Sequence, residues 1–297
     1  EAGSASIEGT VKDSNGAIIQ GATVLVKNTE TGLERTVSTN SNGGFTVSIL
    51  PVGTYKITVK QAGFADSSVI ATLTVGETTP IEISLNPKAA DAVVDITADG
   101  EIIDAEASST GTSIPKRAIE DLPVRGRNFT EFVQLTPAVI QEGDRNGLVI
   151  AGQRSINSNV AIDGADFNDA LQGNQRGGNE QVFSFPQTAI REFQVVRSGA
   201  TAEIGRTGAG FVNAVTKSGT NNLRGEAFYY NRNKHLTSPD AFGQDLDNAQ
   251  NQFGGSIGGA IKQDKSFFFL ALEQNFLRVP FVVQFQNVPG VTLPANL

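Results

Sequence analysis

Ser266-Phe267-Phe268-Phe269-Leu270-Ala271-Leu272-Glu273-Gln274-Asn275-Phe276 reads as a β-strand with one apolar face. Phe268, Leu270, Leu272 and Phe276 fall on one side at a period of two, and Glu273 and Asn275 fall on the other. The stretch before it, 252–262, repeats the pattern. Phe253, Ile257 and Ile261 share a side, Gln252, Ser256 and Lys262 lie opposite, and glycines stand between. A third strand is expected over 223–232, around Phe228-Tyr229-Tyr230. Segments of roughly ten residues with one apolar face are the mark of a transmembrane β-barrel. A soluble β-meander can alternate in the same way, but Phe267-Phe268-Phe269 would be awkward on a soluble surface. The connections point the same way. The one over 233–250 is long and polar, and the one at Lys262-Gln263-Asp264-Lys265 is tight, as expected of external loops and periplasmic turns. Three strands cannot close a barrel, since the smallest needs about eight. Either the sequence is a piece of a longer chain, or its strand edges are met by other copies.

The rest of the composition sets limits. The 297 residues suffice for about two domains. A net charge of -8 argues against a nucleic-acid partner, which needs a basic face. Without cysteine there is no disulfide framework and no thiolate metal site. The chain begins at Glu1 with no basic start and no apolar run, which reads as a mature chain whose signal peptide has been removed. No stretch has the roughly 18 to 20 apolar residues of a transmembrane helix. A membrane role must come from strands or from a partner.

Residues 6–86 read as short strands with regular turns. Val24 and Val26 alternate, as do Phe45, Val47 and Ile49, then Tyr55, Ile57 and Val59, and then Ile81, Ile83 and Leu85. Asn15-Gly16, Thr31-Gly32, Asn42-Gly43-Gly44 and Pro51-Val52-Gly53 punctuate them. That spacing predicts an all-β sandwich. The segment resembles the carboxypeptidase regulatory-like family, a transthyretin-like sandwich. The resemblance is carried by Ile7-Glu8-Gly9-Thr10-Val11, Gly21-Ala22-Thr23-Val24, Gly43-Gly44-Phe45, Leu50-Pro51-Val52-Gly53-Thr54-Tyr55 and Ala62-Gly63-Phe64. It implies an accessory domain and no peptidase activity.

Beyond Pro87-Lys88 the sequence becomes a linker, 89–114, with one β-prone stretch, Val93-Val94-Asp95-Ile96-Thr97-Ala98, and then a Ser/Thr-rich run. From 115 to 221 a small α+β domain is expected. A short helix is predicted over 115–122, with Ser113 as its cap and Pro115 in its first turn. A second is predicted over 129–135, and strands near 149–150, 160–162, 192–196 and 211–215. This part resembles the plug domain of TonB-dependent receptors. The carriers are Leu122-Pro123-Val124-Arg125-Gly126-Arg127-Asn128-Phe129, Gly152-Gln153-Arg154, Ile162-Asp163-Gly164, Ile190-Arg191-Glu192-Phe193 and Gly205-Arg206-Thr207-Gly208-Ala209-Gly210. Sandwich and plug together look closest to Oar-like receptors. The expected architecture is mainly β: a sandwich at 1–88, the linker, a plug at 115–221, and the first antiparallel strands of an outer-membrane barrel at 222–297.

The resemblance implies active uptake, with the cell outer membrane as location and the sandwich and plug on the periplasmic side. Its barrels have about twenty-two strands. It implies a TonB-type energy-transducing partner and outer-membrane lipid around the strands. Val93, Val94, Asp95, Ile96, Thr97 and Ala98 resemble the TonB box, which must be extended to add to a partner's sheet edge; Asp95 departs from the usual apolar run. The loop from Asp166 to Phe183 takes the plug-apex position. Its Asn168, Gln172, Asn174, Gln175 and Arg176 would suit a polar ligand such as a glycan or peptide. Arg125, Arg127, Arg154, Arg191 and Arg206 recur at plug motifs and could pair with carboxylates on the barrel wall or within the plug.

No residue group reads as an enzyme's active site, and no cofactor is expected. His235 is the sole histidine, and a Ser-His-Asp triad would rest on that one loop residue. Gly205–Gly210 lacks the Gly-Lys-Ser/Thr ending of a phosphate loop. The aspartates at 163, 166 and 169, and at 240, 245 and 247, do not fit the twelve-residue calcium loop and read as solvated loops. A reading of a different class remains open: a structural or adhesive surface protein that self-associates through open strand edges.

Overall fold

The structure is a computed structural model. It describes residues 3–88, 94–97, 110–115, 118–119, 129–142, 147–169, 175, 185–200, 204–208, 210–238 and 249–278.

The N-terminal sandwich has seven strands: β1 (Ser4–Asp13), β2 (Thr23–Asn28), β3 (Glu34–Ser38), β4 (Gly44–Pro51), β5 (Gly53–Lys60), β6 (Ser67–Leu73) and β7 (Thr78–Leu85). One sheet has the order β4-β1-β7, and the other contains β3-β2-β5-β6. The two inner faces bury the alternating residues, including Ile7, Val24, Val26, Tyr55, Ile57 and Leu85. Each of these reached the core because period two sends every second side chain to one face. Tyr55 is fully buried and donates its hydroxyl to the Pro51 carbonyl at 2.7 Å, which satisfies the polar tip.

The alternation expected over Phe45, Val47 and Ile49 fails at its third member. Ile49 is 56% exposed, at a φ of 59°, and Leu50 is buried instead. The register explains it. Ala5 opposes Leu50 and Ile7 opposes Val47, so β4 carries one residue more than β1 across that interval. This bulge turns Ile49 outward and brings Leu50 in.

An eighth strand joins the sandwich from the linker. β8 (Val94–Thr97) runs parallel to β6, with Ser67 opposite Val94 and Ile70 opposite Thr97. The sheet order becomes β3-β2-β5-β6-β8.

The plug is built on β9 (Thr110–Ile114), β10 (Val139–Gln141), β11 (Leu148–Ile150), β12 (Asn159–Ile162), β13 (Ala165–Asp166), β14 (Ile190–Ser198) and β15 (Phe211–Thr216), with a helix over Phe129–Val133. Its main sheet has the order β13-β12-β15-β14-β9, and β10-β11 forms a separate hairpin. Phe132 of the helix stacks on Phe193 of β14, ring centres 6.4 Å apart, and Leu148, Ile150, Val160 and Val212 complete the core.

Two expectations are corrected here. Ser113 does not cap a helix. It lies within β9 opposite Gln194, and its hydroxyl is buried without a hydrogen-bond partner. The linker therefore ends by Thr110, because the run Thr110–Ile114 is taken up as the edge strand beside β14. The helix expected over 115–122 lies largely outside the described residues. Its described part makes a helical turn, with the Ala118 and Ile119 amides donating to the Pro115 carbonyl at 3.0 and 3.3 Å.

The last three strands are β16 (Arg224–Asn233), β17 (Ala249–Lys262) and β18 (Ser266–Arg278), in the order β16-β17-β18. The sandwich, the plug and the turn end of these strands belong to one compact unit, and their far ends form a second. The β17–β18 turn is tight, with Asp264 at a φ of 61°. In the second unit Gln252 donates to Glu273 at 2.6 Å and Gln250 to Asn275 at 3.2 Å, all on the polar face. Phe253 and Phe276 meet on the other face at 6.1 Å. Leu272 is exposed there at 68%, and in the first unit Ile257 and Leu270 are exposed at 43% and 65%. The strands thus show outward the face a soluble protein would bury.

Candidate functional site

Three places in the fold gather the candidate residues. The first is the edge of the sandwich. Residues 94–97 of the TonB-box candidate are a paired strand there; Val93 and Ala98 lie outside the described residues.

The second is the base of the apex loop. Asp163 and Gly164 take φ of 49° and 80°, which makes the tight turn between β12 and β13. The Asp163 carboxylate accepts the Thr216 amide at 2.9 Å and the Thr216 hydroxyl at 2.7 Å. The Gly164 amide donates to Asn213 at 3.0 Å. The turn is therefore pinned to β15. Asn168 is buried at the start of the loop. Its side-chain amide donates to Asn159 at 2.7 Å and to Asp166 at 2.8 Å. Gln175 is also buried, bridging back to a Asn168 backbone pairing, and clasps β11. It accepts the Leu148 amide at 2.6 Å and donates to the Leu148 and Ser155 carbonyls at 3.2 and 3.1 Å. These two amides hold the base of the loop, and their hydrogen-bonding capacity is spent on the protein. Gln172, Asn174 and Arg176 lie outside the described residues.

The arginines divide by partner. Arg206 donates to Asp166 at 2.7 Å, and Arg154 lies 3.5 Å from Glu142, both within the plug. The Asn168 backbone amide, helped by Arg206, holds the Asp166 carboxyl below the usual carboxylate range. Arg191 reaches the sandwich. Arg125 and Arg127 lie outside the described residues. The aspartates at 163 and 166 are both engaged by protein donors, and those at 240, 245 and 247 lie outside the described residues.

The third place is the junction of sandwich, plug and first barrel strand, which the sequence reading did not foresee. Glu30 of the sandwich receives Arg224 at 2.9 Å and Arg191 at 3.6 Å, and its carbonyl accepts the Asn221 amide at 2.9 Å. Asn221 and Asp264 exchange hydrogen bonds at 2.7 and 2.9 Å, tying the strand turn to the exit of the plug. A cavity of about 230 Å³ opens here, lined by Glu30, Arg191, Lys217, Arg224, Glu226 and Phe269. Beside it, Val52 and Val75 of the sandwich pack on Val215 of the plug. Glu192 is buried at the same seam and accepts the Val75 amide at 2.7 Å. Burial pushes its carboxyl up to about 7, against that hydrogen bond and the pull of Arg191. The Arg191-Glu192 pair of a plug motif thus faces the sandwich.

The fold is that of a sandwich, a plug domain and the first strands of an outer-membrane barrel. Residues 6–86 match the carboxypeptidase regulatory-like domain, 104–212 the TonB-dependent receptor plug domain, and 215–292 an outer membrane beta barrel domain. The chain carries these three domains in that order. Among curated relatives, the TonB-dependent transporter Oar of Myxococcus xanthus is 27% identical over 295 residues, covering 93% of this chain. The chain spans 27% of that relative's length. Among solved structures, the siderophore receptor PirA of Acinetobacter baumannii has a TM-score of 0.45 at 23% identity, covering 56% of this chain and 24% of that one. PirA of Pseudomonas aeruginosa has a TM-score of 0.42 at 19% identity, covering 57% and 29%.

Proposed function

We propose that the chain is the N-terminal part of a TonB-dependent transporter that takes up a ligand actively across the outer membrane. The observation that carries this is the order of parts: sandwich, extended segment, plug, then strands with an outward apolar face. Ligand binds outside, between barrel loops and the plug apex. An energy-transducing partner pairs with Val93–Ala98 from the periplasm, and its pull is passed along the chain into the plug. The proposed boundaries are 1–88, 89–109, 110–221 and 222–297, with Thr110–Ile114 counted with the plug sheet it joins. We read the protein as a transporter rather than an enzyme, in keeping with the name of its curated relative.

The proposed ligand is polar, a glycan or peptide. With Asn168 and Gln175 holding the loop base, Gln172, Asn174 and Arg176 are left as the ligand-facing candidates. Replacing these three with Ala, and keeping Gln175, should weaken ligand binding while leaving the plug folded. Arg125 and Arg127 are the proposed contacts to the barrel wall.

Replacing Ile96 with Pro removes a backbone donor from the extended segment. In cells carrying the full-length receptor, depletion of ligand from the medium should stop, with surface binding kept. Depletion at the wild-type rate would put the partner's site elsewhere.

A further inference from the structure

β6 has two neighbours. β5 pairs along one side, and β8 lies parallel along the other, with Ser67 opposite Val94, Ser68 opposite Asp95, Val69 opposite Ile96, and Ile70 opposite Thr97. β8 ends the sheet, so among the described residues its outer side carries no further strand. A terminal strand presents a row of backbone donors and acceptors, which is a template for a strand from another chain.

We propose that the sandwich presents Val94–Thr97 as a preformed edge strand, and that the energy-transducing partner adds a strand of its own to the open side. This rests on the reading of that segment as the partner's binding site. The physical gain is in ordering. A free linker must give up backbone freedom when the partner arrives, at a cost that falls directly on affinity. Pairing with β6 has already fixed these four residues in the extended form. What remains open is a row of main-chain N–H and C=O groups, and the occupant that matches such a row is an extended strand.

The position suits transmission. Twelve residues, 98–109, separate β8 from β9, the edge strand of the plug sheet. Fully extended, they span up to roughly 40 Å. A partner held on β8 is therefore leashed to the plug, and a pull on β8 runs into β9. The ladder to β6 is short and parallel, and parallel pairing is slightly weaker per residue than antiparallel. The sandwich can thus hold the strand for capture and yield it under load. The opposite arrangement, in which the sandwich hides the segment and must release it first, makes the contrary prediction.

The test uses a lock. This stretch has no cysteine, so Ile70→Cys with Thr97→Cys in the full-length receptor places one thiol on each strand at paired positions. Ile70 is 39% exposed, which leaves that bond open to reductant. Binding of the partner's periplasmic domain is measured on outer-membrane vesicles, oxidised and reduced, with Ile96→Pro alongside. The oxidised receptor should bind within twofold of the reduced one, or tighter. A loss of tenfold or more on oxidation, reversed by reductant, overturns the proposal. So does failure of the two thiols to join. The proline variant keeps the two readings apart. If it binds the partner as the wild type does, the segment is not the partner's site, whatever the lock does.

Discussion

Glu192 shows how much one buried carboxyl can govern. It sits in the seam between sandwich and plug, with Val75 donating to it and with Arg191 and Glu77 as its charged neighbours. Its folded pKa of about 7 lies above the ordinary 4.5. As pH rises from about 4.5 to 7, the unfolded chain gives up this proton while the folded chain keeps it. Stability therefore falls across that window, by up to roughly 3 kcal/mol, and is flat above it. Urea unfolding at pH 5 and pH 8 should show this loss in the wild type and not in Glu192→Gln. An equal pH dependence in the two chains would contradict the assignment. Gln175 is the second test at this scale. Gln175→Ala strands the Leu148 amide and carbonyl in a buried place, and should cost about 1 to 3 kcal/mol by the same measurement. Neither role was legible in the sequence. Gln175 looked like a ligand contact because a Gly/Asn/Gln-rich loop has that composition in any case. Only the fold shows that its amide turns back to β11, 27 residues away. Glu30 and Arg224 meet across 194 residues, a separation at which local patterns say nothing.

Among elements, strands with one clean face were read correctly and those with irregular backbone were not. Phe253, Ile257 and Ile261 share the exposed apolar side, as period two requires, and Gln252 and Glu273 pair on the other. The face assignment predicts an asymmetry. Arg at a lipid-facing midplane position costs about 2 to 4 kcal/mol, and a lumen position tolerates it. Ile257→Arg should therefore impair membrane assembly of the full-length protein. Ser256→Arg, whose hydroxyl position lies 3.0 Å from Glu226, should assemble normally. Heat-dependent gel mobility of the membrane fraction distinguishes them, and equal effects would mean that the faces are reversed. Ile49 misled because a bulge inserts one residue and flips the period. β9 was missed because its Thr-Gly-Thr-Ser run looks like linker. Its strand state comes from pairing with β14, which is a tertiary fact.

At the scale of the molecule, three domain types stand in the order sandwich, plug, barrel strands, and the sandwich is tied to the plug exit through Glu30, Arg191 and Arg224. The sequence carried this order through its motifs, while the tie itself emerged only from the fold. The sandwich then has two roles, holding β8 at one edge and bracing the start of the barrel at another place. The central claim is that transport depends on a periplasmic partner that pulls. The most direct measurement compares ligand uptake by the full-length receptor in cells with and without the energy-transducing protein, with surface binding followed in parallel. Uptake should vanish in its absence while binding stays at the wild-type level. Uptake that continues at the same rate without that protein would contradict the account.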